Sequence, residues 1–187
     1  FHRGVAWSQC CIALMNHQHG KHIEARNLCE VAYEAFDSLG DSLGQCFSSL
    51  YWGHAALALG QENEAEAKYQ KVISMWESFD QSHLLMEAKA GLARAFLQQN
   101  RVSDALGVVE SILRFLEQHE SFYGTYEPFR IYHTCVTVLE AAQDDRACHL
   151  LSRAKQELQK LANQIDDPML KQSYLSRVDI HQQLLHM

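Results

Sequence analysis

Apolar residues recur along the chain at three- and four-residue spacing, interrupted by short polar turns. Leu50, Trp52, Gly53, Ala56, Leu57 and Leu59 precede Gly60, and Ala65, Tyr69, Val72, Ile73 and Trp76 follow it. This spacing puts one apolar stripe on each of two consecutive helices. Ala105, Val108, Val109, Ile112, Leu113 and Leu116 form the matching stripe further on. No segment alternates apolar and polar residues as a strand would. The pattern predicts helices over residues 3–18, 22–39, 42–59, 62–79, 82–99, 102–118, 128–142 and 144–165, and a ninth over 168–186. Both prolines fall at predicted helix starts, Pro128 directly and Pro168 behind the capping pair Asp166-Asp167. The one sizeable connection is HESFYGTYE, residues 119–127.

Four turns share one plan. Gly20, Gly60, Asn100 and Ala142 each precede a small residue five positions on: Ala25, Ala65, Ala105 and Ala147. These alanines are spaced 40, 40 and 42 residues apart. A Gly or Asn can end a helix in the left-handed conformation. The alanine then lets the next helix lie close to the first, and Ala32, Val72, Ile112 and Ala154 fall on the same face two turns later. Upstream, Ala13, Gly53, Ala93 and Cys135 supply the facing small residues. Each unit is therefore expected to be a helical hairpin. Residues 1–187 read as one all-α domain, with hairpins near 3–39, 42–79, 82–118 and 128–165. The 168–186 helix is expected to cap the 144–165 helix through Leu175, Val178, Ile180, Leu184 and Leu185.

Composition agrees with a packed helical chain. Of 187 residues, 47% are hydrophobic and 21% charged, which excludes wholesale disorder. Nine glycines and two prolines are too few for a fold built on many tight turns. A formal charge of −7 without a basic patch argues against direct nucleic-acid contact. No run of apolar residues is long enough to cross a membrane. The opening FHRGVAWSQC lacks a signal-peptide pattern and lies inside a helical stripe. The chain reads as an excised segment of a longer cytoplasmic protein.

Candidate chemistry is sparse. Cys10, Cys11, Cys29, Cys46, Cys135 and Cys148 lack metal-ligand spacing and read mainly as small buried hydrophobes. The cluster His17-Gln18-His19-Gly20-Lys21-His22 falls on a hairpin turn and reads as a solvated turn rather than a metal site. Asp144-Asp145 and Asp166-Asp167 read as helix starts. Glu24, Glu30, Glu34, Glu62, Glu64 and Glu66 read as solvated faces. His133 with Cys135, and Cys148 with His149, are too close in sequence to face each other on a helix. No catalytic residue, metal site or cofactor is expected.

The Gly-x4-Ala turn with its flanking small residues resembles the tetratricopeptide repeat (TPR), most clearly at Trp52-Gly53, Gly60, Ala65 and Tyr69. The period is about 40 rather than 34 residues, and the usual proline after the second helix is missing. These features resemble the long-helix TPR regions of large bacterial signalling ATPases, of the maltose-activator type of LuxR-family regulators and of nucleotide cyclases. The stretch Asp166-Asp167-Pro168-x-Leu170-Lys171-x-x-Tyr174-Leu175-x-x-Val178-x-x-His181 resembles the closing helix of such regions. The resemblance implies a right-handed superhelical solenoid. It implies a non-enzymatic interaction or regulatory module that binds a protein or peptide, or a second copy of itself, within a signalling or transcription regulator. A small-molecule inducer sensor and a structural spacer are the alternatives. Transferred inner-face positions are Trp7, Cys10 and Leu14, then Phe47, Leu50 and His54, then Glu87, Ala90 and Arg94, then Phe129, Tyr132 and Val136. The sequence leaves open whether these line an open groove or pack together as core.

Overall fold

A computed structural model of the protein describes residues 2–76, 82–119, 121–122 and 124–187. Ten helices and no strand are present among them: α1 (His2–Gln18), α2 (His22–Ser38), α3 (Ser42–Ala58), α4 (Glu62–Trp76), α5 (Ser82–Gln98), α6 (Val102–His119), α7 (Pro128–Ala141), α8 (Arg146–Ala162), α9 (Pro168–Ser176) and α10 (Asp179–His186). Residues 77–79, expected to end the fourth helix, lie outside the described residues. Consecutive helices from α1 to α6 pack side by side, and α7 pairs with α8. The odd-numbered helices also touch in series, α1 to α3 to α5 to α7, and so form one wall of a solenoid.

The turns close as their residues dictate. Gly20, Gly60 and Asn100 adopt φ of 75°, 72° and 59°. The next residue then donates its N–H back to the helix: Lys21 to Asn16, Gln61 to Ala56, Arg101 to Phe96. In the fourth hairpin the left-handed residue is Gln143, at φ 55°, not Ala142. Four residues rather than three separate α7 from α8, and α8 begins at Arg146 rather than at 144. All eight close-approach residues expected from the pattern are buried. Tyr69 shows why they must be small: its ring lies so near α3 and α5 that a Cβ on Gly53 would fall 2.8 Å from it, and one on Gly91 2.3 Å.

Two expectations about the surface change. Glu64 and Glu66 are not simply solvated: Glu64 pairs with Arg26 at 2.9 Å and accepts from Trp52 Nε1 at 2.8 Å, and Glu66 pairs with Arg101 at 3.0 Å. With the Glu110–Arg146 pair these contacts tie α2 to α4, α4 to α6 and α6 to α8. Such solvent-screened pairs add little to stability one by one, and they fix repeat-to-repeat register more than total stability.

The ninth helix is broken in two. Val178 is extended, at φ −94° and ψ 110°, and leaves α9 and α10 as separate segments. The break is satisfied internally, because His181 Nδ1 bonds Tyr174 O at 2.8 Å and Gln182 Nε2 donates to Ser176 O. It turns α10 onto α7 as well as α8. Ile180, His181 and Leu184 are buried there, while Val178 and Leu185 stay exposed and Leu175 is half-buried. The α9 segment buries none of its residues.

Candidate functional site

The odd-numbered helices carry the site. His17 ends α1, His54 sits late in α3, Glu87 and Arg94 lie on α5, and Arg130 opens α7. His54 and Arg94 are forty residues apart and occupy equivalent repeat positions, whereas Glu127 lies two residues before Phe129, the fourth-repeat position that matches Glu87. The odd-numbered helices stack in series, so polar groups from four repeats converge.

Their geometry is specific. His54 Nδ1 shares a 2.8 Å hydrogen bond with the Tyr69 hydroxyl, and Arg94 approaches the same nitrogen at 3.5 Å. His54 Nε2 is buried without a hydrogen-bond partner. Glu87, 3% exposed, accepts from the Tyr126 peptide N–H at 3.4 Å. Glu127 is held by a fork of two bonds from Arg130, at 2.8 and 3.0 Å. One ligand atom each from His54, Glu87 and Glu127 lies within 4.8 Å of the others.

Burial, reinforced by Glu127, pushes the Glu87 carboxyl up to about 7. Burial first, and Arg94 second, hold His54 well below its ordinary value. Burial, with His22 beside it, lowers His17 to about 4. Burial lowers Arg94 as well. The buried thiols move the other way: burial raises Cys10 to about 12 and Cys46 to about 11. Such thiols stay protonated and are poor nucleophiles. Cys11 and Cys148, by contrast, are exposed rather than buried as expected.

The residues expected to line a groove divide in two. Trp7, Leu14 and Arg94 are half-buried. Cys10, Phe47, Leu50, His54, Glu87, Phe129, Tyr132 and Val136 are at most 6% exposed, and Ala90 is 2% exposed. Among them Cys10, Leu50, Tyr132 and Val136 pack as core. The reason is that the concave face is lidded from two sides. Tyr126, from the connection before α7, sets its ring 5.8 Å from Phe47, which also meets Trp7 at 5.5 Å and Trp76 at 5.7 Å. From the other side, His181 of α10 packs edge-on to Phe129 at 4.9 Å.

Two cavities remain under these lids. One, about 370 Å³, is lined by His17, His54, Arg94 and Arg130 together with Asp179 and Gln183 of α10. The other, about 740 Å³, is lined by Tyr126, Glu127, Phe129, Tyr174 and Val178. Gln18 and Ile180 border both. His17, expected on a solvated turn, therefore faces inward, with its ring 5.0 Å from His22 and 5.9 Å from His54. Glu127 precedes Pro128, where the fourth hairpin is expected to begin, and Arg130 falls between the transferred positions Phe129 and Tyr132. No repeat spacing links Glu127 to Glu87, because the step into the fourth repeat is 42 residues.

No protein-family model matches the chain, and no curated protein does. Solved structures do. Two crystal structures of a protein from Podosopora anserina, assigned as a kinesin light chain with nearly identical TPR-like repeats, are similar at 20% identity. One, carrying a single substitution, superposes with a TM-score of 0.67 over 100% of this chain and 93% of its own. The second gives 0.66 over 98% and 93%. The architecture of this chain is thus a TPR-like helical solenoid.

Proposed function

We propose that the chain is a non-enzymatic protein-interaction module whose concave face takes up an extended segment of a partner. The observation that carries this reading is the pair of cavities meeting at Gln18 and Ile180. One offers polar groups and the other mainly aromatic and aliphatic walls. An apolar anchor oriented by a few polar contacts is the usual economy of peptide recognition. The TPR-like fold supports the same reading, since stacked hairpins present extended concave surfaces. A signalling or transcription-regulator setting belongs to the proposal through the sequence resemblance.

Peptide selection against the folded chain tests it. Gln18 is exposed at the end of α1, so Gln18→Trp fills the junction of the two cavities without entering the core. Selected peptides are expected to lose at least about tenfold in affinity for Gln18→Trp, roughly 1.4 kcal/mol. They should bind unchanged to Gln70→Trp on the exposed side of α4. Peptides sensitive to Gln70→Trp and indifferent to Gln18→Trp would overturn the reading.

A further inference from the structure

We propose that His54, Glu87 and Glu127 form a binding site for one divalent transition-metal ion, Zn²⁺ by the chemistry of the set. Three successive repeats supply one ligand each, so an ion there would cross-link the concave wall. The site needs no partner protein and stands apart from the peptide reading.

Four observations support it. The ligand atoms lie within 4.8 Å of one another. Ligands about 2.0–2.2 Å from zinc stand closer than this, so the side chains must draw in by roughly an ångström. His54 Nε2 is buried and unpartnered, which leaves an imidazole nitrogen free in a polar setting. With its proton on Nδ1, His54 donates to the Tyr69 hydroxyl and presents its lone pair at Nε2, the arrangement a ligating histidine usually takes. Glu127 is likewise oriented by its Arg130 fork. Finally, two carboxylates are held together where water is scarce. The mutual repulsion of two carboxylates this close would be relieved by a cation.

The guanidinium groups of Arg94 and Arg130 already offset the two carboxylates, so a divalent ion leaves the cluster net positive, with Asp179 as the next carboxylate in the cavity wall. Affinity should therefore be micromolar rather than picomolar. One imidazole and two carboxylates make three protein ligands with a position left open, a zinc-type set. Ca²⁺, which takes six to eight oxygens, fits poorly. His54 lines one cavity and Glu127 the other, which gives the ion a route in.

Chelator-treated full chain titrated with Co²⁺ tests the site, with Zn²⁺ as competitor and Ca²⁺ as control. The expected result is one visible d–d band saturating at one equivalent and displaced by Zn²⁺ but not by Ca²⁺. His54→Ala, Glu87→Gln and Glu127→Gln should each weaken binding by about tenfold or more. Glu127 is only half-buried, so Glu127→Gln remains informative if His54→Ala misfolds. A double Cys11→Ser, Cys148→Ser variant, which removes the exposed thiols, should bind Co²⁺ unchanged. Absence of the band, its survival in Glu127→Gln, or its loss in the double cysteine variant would overturn the proposal.

Discussion

Gly91→Ala should destabilise the protein although alanine is the better helix former. The Tyr69 ring is wedged between α3 and α5. A Cβ on Gly91 would lie 2.3 Å from Cε1, 2.5 Å from Cζ and 2.8 Å from Cδ1 of that ring. Carbon atoms in contact rest about 3.5–4.0 Å apart, so the ring would have to retreat by roughly an ångström. Gly53 blocks one direction, since its own Cβ would fall 2.8 Å from the ring, and the bond to His54 tethers the hydroxyl. Overpacking of this kind costs about 1–3 kcal/mol, with the upper end expected for a rigid, fully buried ring. Alanine returns about 1 kcal/mol of helix propensity. The net loss is about 2 kcal/mol, or a Tm lower by roughly 4–8 °C in a chain of this size. Gly107 on α6 supplies the control: nothing lies within 4 Å of its Cβ position, so Gly107→Ala should gain about 0.5–1 kcal/mol. Thermal and urea unfolding followed by circular dichroism measure both. A gain in Gly91→Ala equal to that in Gly107→Ala would refute the close approach and the helix register behind it.

Phe47→Ala combined with Tyr132→Ala should cost several kcal/mol, because both rings are buried and Phe/Trp→Ala changes run at about 3–5 kcal/mol each. A double variant that melts like the parent would place these rings in solvent. Acid should weaken the fold partly through His17, whose value falls from 6.5 unfolded to about 4 folded. Between those pH values the unfolded chain binds more protons, so stability drops as pH falls from above 6.5 to 4, by up to about 3 kcal/mol. Glu87 acts in the opposite sense below pH 7, so the test is the gap between the parent and His17→Gln, which should shift in favour of the variant on acidification. A gap constant with pH would remove His17 from the account. Deleting residues 168–187 should uncover apolar surface on α7 and α8 and cause aggregation in light scattering. A truncated chain that stays monomeric and equally stable would remove the capping role.

The repeat was legible because its physics is local. Where two helices must nearly touch, only a small residue fits, and Ala25, Ala65, Ala105 and Ala147 with their partners mark those points in the sequence. Left-handed turn residues did the same at Gly20, Gly60 and Asn100. The fourth turn misled because neither Ala142 nor Gln143 is a residue that favours the left-handed conformation, so nothing in the sequence distinguished the two positions. The break at Val178 was hidden by a continuous helical stripe, and the carbonyls it frees are satisfied by His181 and Gln182, which any helix surface could carry. The inward face of His17 depends on α3 and α10, far away in the chain. Likewise, the lid made by Tyr126 rests on its meeting Phe47, and no spacing rule connects the two.

The central claim is that the lidded concave face is where a partner binds. Amide hydrogen exchange with and without a selected peptide measures this directly. Protection is expected at residues 17–20, 124–127 and 178–183, which border the two cavities, with the exposed faces of α2, α4 and α6 unchanged. Protection confined to those outer faces, with the cavity borders exchanging as in the free chain, would contradict the account.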